Sequence, residues 1–172
     1  MKIKKATKDL DLKSNDRLFL KLKSPFAPKH YKDLKPTGFK IHTFHSGFKK
    51  KKDDLLIIIF DRAIDVSCKY TLSTMPSAPI IWDKKNNKGK CKALIVNSGN
   101  ANAHTGLKGL ETIDKYTKDL AKYLSCSQKE ILVSSTGVIG EQFDSKIISD
   151  QIKKLSLTKN KIIKLVKRKK IN

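Results

Sequence analysis

Two short stretches hold the residues best suited to chemistry. Asn97-Ser98-Gly99-Asn100-Ala101-Asn102-Ala103 follows the apolar run Ala93-Leu94-Ile95-Val96. Ser134-Ser135-Thr136-Gly137-Val138-Ile139-Gly140 follows Ile131-Leu132-Val133. Each joins a strand pattern to a helix pattern. At such junctions unpaired backbone N–H groups and the helix dipole favour negative charge. Gly and Asn allow positive φ and close approach of another backbone. Ligands of α/β proteins commonly bind at the carboxyl ends of strands. On the residues alone two readings stand: a ligand site, or tight turns capped by Asn and Ser.

The other candidates carry less. His104 lies beside the first stretch and is placed to contact a ligand there. His42 and His45 are three apart with no Cys or carboxylate close by in sequence, which reads as surface histidines rather than a metal site. Cys68, Cys91 and Cys126 are odd in number and have no CxxC spacing. That argues against a disulfide scaffold or a zinc ribbon and for a reducing cytosol. Cys126 reads as a small buried or half-buried side chain. No GxSxG elbow, HExxH or P-loop occurs.

The elements that must position these residues follow from periodicity. Leu55 to Phe60 is a continuous apolar run, the pattern of a strand buried on both faces. Val66 to Leu72 alternates and reads as a second strand. Met75-Pro76-Ser77-Ala78-Pro79 reads as a break before Ile80-Ile81-Trp82, and Asp83 to Lys90 as a polar loop. Ala93–Val96 and Ile131–Val133 are two further short strands. Leu107, Leu110, Ile113, Thr117, Leu120, Ala121 and Leu124 fall at helical spacing, with lysines mostly opposite. Ser127 to Glu130 has capping-box spacing with little room for a helix. Asp144 to Leu155 returns to helical spacing through Ile147, Ile148, Ile152 and Leu155. Gly38 to Gly47 is of mixed polarity, and Lys49 to Asp54 reads as a solvated turn. The expected class is α/β, a mixed sheet packed by helices. Residues 1–23 form a basic N-terminal arm, 24–155 the domain, and 156–172 a basic low-complexity tail.

Composition narrows the function. The chain has 172 residues with 38 Lys and Arg against 16 Asp and Glu, a net charge of +22. Most of the excess lies in residues 1–54 and 151–172, and the middle is near neutral. Only Arg17, Arg62 and Arg168 are arginines. Base reading and bidentate phosphate clamping lean on arginine, so this lysine excess reads as compositional and no specific nucleic-acid partner is expected. Basic ends alone give weak, salt-sensitive phosphate contacts. The apolar run Leu55–Phe60 falls far short of the ~20 residues of a spanning helix, so no membrane partner is expected either. No secretory signal is visible behind Met1.

Lys92 to Ala103, Thr105-Gly106-Leu107-Lys108-Gly109 and Val133 to Glu141 resemble the ornithine acetyltransferase family, the bifunctional glutamate N-acetyltransferases of arginine biosynthesis. Ser24-Pro25-Phe26-Ala27-Pro28 and Pro76-Ser77-Ala78-Pro79 fit that family too. The likeness runs from about Ser24 to about Ile152. It implies the N-terminal, α-chain part of the ornithine acetyltransferase and DmpA-like fold. It also implies a cytoplasmic enzyme without a cofactor. Such an enzyme moves acetyl from N-acetylornithine to glutamate by ping-pong chemistry, with acetyl-CoA as a possible further donor. Family members cut themselves before a threonine, and the resulting α and β chains stay together as two of each. By the resemblance, Thr136 through its hydroxyl and Gly137 through its N–H form the oxyanion hole. Asn97, Gly99, Asn100, Asn102 and His104 shape the neighbouring pocket.

Three departures stand against this match. Cys68 and Lys69 occupy positions where the family tends to have a glycine and an apolar residue. The stretch from Ser156 to Asn172 does not resemble the family's approach to its cut. Neither a nucleophilic threonine nor a metal site is expected within the chain. Thr74-Met75 lies next to the Pro76-Ser77-Ala78-Pro79 motif and is not a cut site. The alternative is an inactive truncated homologue whose basic ends bind polyanions weakly.

Overall fold

The structure is a computed structural model that describes residues 36–155. Apart from Pro36 these belong to one unit that starts at Thr37. The expected N-terminal arm, the Ser24–Pro28 motif and the tail after Leu155 lie outside the described residues.

Strand β1 is Phe39–Phe44 and β2 is Leu55–Asp65. Helix α1 is Ala78–Asn86, β3 is Lys90–Asn100, and α2 is Gly106–Leu124. A single 3-10 turn, Gln128–Glu130, leads into β4, Ile131–Val138. Helix α3 covers 146–155. The strands lie in the order β1-β2-β3-β4. The first two pairs are antiparallel, and β3 with β4 is parallel. A parallel pair needs a crossover, and α2 supplies it. The sheet is therefore mixed, as the sequence leads one to expect.

One face of the sheet carries Leu55 and Ile57 of β2, Ala93 and Ile95 of β3, and Ile131 and Val133 of β4, all buried. They pack with Ile113, Tyr116 and Leu120 of α2 and with Ile148, Ile152 and Leu155 of α3. The opposite face is apolar but only half-buried at Leu56, Ile58, Leu94 and Val96. Ile41, on β1, is 57% exposed. The run Leu55–Phe60 is thus buried at Leu55 and Ile57 on one face and half-buried elsewhere.

Several expectations are corrected. Val66 to Leu72 is not a strand. The chain instead extends β2 through a register irregularity between Ile59 and Ile64, so that Ile64 pairs Cys91 and Asp65 pairs Lys90. The break around Pro79 is a helix start: Pro sits in the first turn of α1, where its missing N–H costs nothing. The expected polar loop from Asp83 is the second half of that helix, closed by the Asn87 N–H donating to the Asp83 carbonyl at 2.9 Å. Mixed-polarity residues 39–44 form an edge strand. Leu107, expected on the buried face of α2, is 77% exposed. Helix α2 ends where Ser125 turns left-handed at φ 53 and the Cys126 N–H reaches back to the Ala121 carbonyl.

Candidate functional site

The greater part of each chemistry-bearing stretch is strand rather than turn. Asn97 to Asn100 are the end of β3, and Ser134 to Val138 are the end of β4. The parallel register sets Asn97 beside Ser135, Ser98 beside Thr136, and Gly99 beside Gly137. The small residues that looked like turn formers serve close approach of two backbones. A β-carbon on Gly137, whose φ is +134, would collide with the backbone of Gly99 and Asn100. A β-carbon on Gly99 would lie 2.8 Å from Phe48 Cβ.

The true turn is Ala101 to Thr105. Asn102 and His104 take positive φ there, at 45 and 60. The asparagines hold the turn from inside. Asn97 Nδ2 donates to the Asn100 carbonyl at 2.8 Å, while Asn97 Oδ1 accepts from the Ser135 hydroxyl. Asn100 Oδ1 accepts from the Asn102 N–H at 2.7 Å, and Asn100 Nδ2 donates to the Glu141 carbonyl at 2.9 Å. Asn102 Nδ2 donates to the Gly109 carbonyl, and Asn102 Oδ1 accepts from the Thr105 hydroxyl. All three asparagines are buried. The Asn102 carbonyl accepts the first N–H of α1, from Ala78. The Ala101 N–H to Val138 carbonyl bond and the Gly140 N–H to Ala103 carbonyl bond carry the pairing past the strand ends. His104 points out of this network and is exposed.

Thr136 and Gly137 are exposed, and so are Val138 at 48% and Ile139 at 69%. A hydroxyl and a backbone N–H therefore stand side by side at an exposed strand end. A cavity of about 560 Å³ among the described residues is elsewhere, lined by Lys40, His42, Ile59, Tyr123 and Leu155 among others.

The loop between β1 and β2 completes the surroundings, and sequence reading missed it. Asp54, expected in a solvated turn, is buried. Its Oδ1 accepts from the Ser46 N–H at 2.7 Å and the Ser46 hydroxyl at 2.6 Å. Its Oδ2 accepts from the N–H groups of Gly47 and Lys49. Burial pushes the carboxyl pKa up, but these bonds from Ser46, Lys49 and Gly47 outweigh it and hold the group below the usual carboxylate range. The Asp54 carbonyl accepts from the Ser98 N–H at 2.8 Å, which ties the loop to the motif strand. His45 is not remote from carboxylates: its Nδ1 lies 3.7 Å from Asp54 Oδ2 and bonds to the Lys52 carbonyl. Phe48 is thereby held over Gly99 and edge-on to Phe143, with ring centres 4.9 Å apart. A carboxylate eight residues after a serine, just before an apolar strand, was the available signal.

Neither the buried Cys91 nor the half-buried Cys126 is activated. Burial pushes Cys91 up to about 11 and raises Cys126. A thiolate nucleophile at either position is disfavoured. Among the described residues no three His, Cys, Asp or Glu side chains cluster in a way that would hold a metal. None of the described helices is long and apolar enough to cross a membrane.

A family model described as the ArgJ family matches residues 40–168. The chain belongs to the ArgJ family. The arginine biosynthesis bifunctional protein ArgJ of Brucella suis biovar 1 (strain 1330) is 43% identical over 125 residues, 71% of this chain and 30% of that protein. The ArgJ of Caldanaerobacter subterraneus subsp. tengcongensis is 41% identical over 106 residues, 61% of this chain and 26% of that protein. Among solved structures, the ArgJ bifunctional protein of Bacillus halodurans superposes with a TM-score of 0.63 at 34% identity, covering 67% of this chain and 61% of that one. Mycobacterium tuberculosis ornithine acetyltransferase, solved in complex with ornithine, gives 0.63 at 26% identity, covering 68% of this chain and 65% of that one. The α/β fold is thus that of ArgJ proteins. The chain spans about 30% of the length of the Brucella ArgJ.

Proposed function

We propose that this chain is the α-chain-like part of a glutamate N-acetyltransferase of arginine biosynthesis, and that Thr136 and Gly137 are its oxyanion hole. The observation that carries the reading is the pairing of Ser98-Gly99 with Thr136-Gly137 in an exposed parallel strand end. ArgJ family membership and the names of the relatives supply the reaction class.

In this reading an N-terminal threonine, furnished by a β chain, attacks the acetyl carbonyl of N-acetylornithine. Negative charge builds on the carbonyl oxygen as the tetrahedral centre forms. The Thr136 hydroxyl and the Gly137 N–H donate to that oxygen. One donor of this kind is worth about 3–4 kcal/mol of barrier. Gly137 suits the role because a side chain there would displace β3. The proton lost by the threonine hydroxyl passes to the leaving nitrogen, so collapse expels ornithine as an amine and leaves acetyl on the threonine, from which the glutamate amine then takes it. Asn97, Asn100 and Asn102 keep the strand ends fixed, and Gly99 and His104 border the pocket. In this reading acetyl-CoA is a second donor, and the assembly is two α and two β chains in the cytoplasm. No resident cofactor is required.

The chain alone is inactive in this reading, because an oxyanion hole without an attacking group stabilises a transition state that is never approached. The test is co-production with the remainder of a family member, assayed for acetyl transfer from N-acetylornithine to glutamate. Turnover is expected only in the pair, and Thr136→Ala should lower kcat about 100-fold. Turnover by the chain alone, or a Thr136→Ala pair as fast as the parent, would overturn the assignment.

A further inference from the structure

Asp83 is a buried carboxylate in a chain with a large excess of cations, yet no ion pair reaches it among the described residues. It sits on the inward face of α1. Both its oxygens lie at hydrogen-bond distance from one donor, the Val133 N–H of β4, at 3.2 and 3.3 Å. Among the described residues β4 is the outermost strand of the sheet, and its inner neighbour is β3. An edge strand offers N–H groups to whatever lies outside, and here α1 supplies a carboxylate. Val133 is three residues before Thr136, on the same continuous strand.

The groups facing Asp83 are neutral in ordinary conditions. They are Tyr116 from α2, Cys91 from β3, and Tyr70 from the segment before α1, and each feels the carboxylate's charge. With no cation paired to it among the described residues, burial dominates and raises the Asp83 pKa to about 7, against a smaller opposing pull from the Val133 N–H. The ionised form makes a charge-assisted bond to that N–H, and the protonated form a weaker neutral one.

We propose that Asp83 is a positioning residue for the oxyanion donors: it fastens the outer edge of β4 at Val133, and its proton tightens or loosens that fastening. The proposal rests on the reading of Thr136 and Gly137 given above, but its test does not need catalysis.

The experiment follows the isotope-labelled 172-residue chain by NMR from pH 5 to 9. The side-chain carboxyl carbon of Asp83 should titrate with a midpoint near 7. The Val133 amide proton should move downfield as Asp83 ionises, and the Thr136 and Gly137 amides should shift with the same midpoint. In Asp83→Asn all three amide titrations should vanish. Should that variant fail to fold, the matching midpoints of carboxyl and amides in the unaltered chain decide alone. A carboxyl that titrates at the ordinary value near 4 overturns the proposal. So does a Val133 amide that titrates while Thr136 and Gly137 stay still, since Asp83 would then support the fold without reaching the donors. Loss of acetyl transfer in the co-production assay leaves this measurement unaffected, so the two readings fail separately.

Discussion

Gly99 and Gly137 face each other across the parallel strands β3 and β4, and the approach is so close that a methyl group on Gly137 would overlap the Gly99 backbone. Two sequence motifs far apart in the chain are thereby made into one piece of structure. The Ser135 hydroxyl bonded to Asn97 Oδ1 fastens the same pair from the side.

Gly137→Ala should therefore destabilise strongly. Its φ of +134 already resists a side chain, at about 1–3 kcal/mol, and displacement of β3 adds to that. Gly140 also has positive φ, +85, but nothing lies within 4 Å of a β-carbon there. Thermal melts of the two alanine variants should differ by roughly 10 °C or more, with Gly137→Ala the lower. Equal melting would mean that the strands are not packed as described.

Gly109→Ala tests the turn. Alanine normally improves a helix interior by ~1 kcal/mol over glycine. Here the added methyl would strike Thr105 Oγ1 and Asn102 Oδ1, with Ala78 Cβ 3.1 Å away. The substitution should lower the urea midpoint rather than raise it. A gain in stability would show that the Asn102–Thr105 bond does not occupy that space.

Asp54→Asn should release the loop that holds Phe48. Removing acceptor charge from a site with four donors costs about 2–3 kcal/mol. The pH dependence has a definite sign. The folded carboxyl pKa is lowered, so its contribution is full above the ordinary value near 4 and is lost as pH falls through the lower folded value. Melts of wild type and variant should differ at pH 6 and converge toward pH 2. A gap that persists undiminished into acid would remove Asp54's charge from the account.

Asp83 has the opposite sign. Its folded pKa lies above the unfolded one, so its stabilising share is present below about pH 4 and is lost as pH rises toward 7. Asp83→Asn should flatten that decline and melt higher than wild type at pH 8. Parallel pH curves for the two proteins would refute a buried, raised carboxylate.

Long apolar periodicity was legible. Ile113, Leu120 and Ala121 predict α2, and Ile148, Ile152 and Leu155 predict α3, because burial of one face overrides everything else in such segments. Strand ends were not legible. Ser, Asn and Gly carry turn propensity, and only the partner strand reveals that Asn97 to Asn100 and Ser134 to Gly137 continue the sheet. Helix α1 hid behind Pro76 and Pro79, since a proline that opens a helix and one that breaks it look alike without the fold. The site followed the same division. Thr136 and Gly137 stand out as motif residues, but Asp54 and Asp83 act through contacts with Ser46 and Val133 that no local pattern displays.

The pairing of β3 with β4 spans the 19-residue helix α2, and the Ser135–Asn97 contact joins residues 38 apart. The contacts of Asp54 with Ser46 join residues only 8 apart. Short loops close at lower entropic cost and faster than long ones. On a ribosome, β1, β2 and their Asp54-locked loop emerge complete while Thr136 is still unsynthesised. The hairpin is then a template for β3, and Phe48 and Gly99 are both made before Gly137. The strand end that carries Thr136 and Gly137 is accordingly the last piece of the sheet to be synthesised, and a nascent chain halted before β4 would present β3 as an open edge.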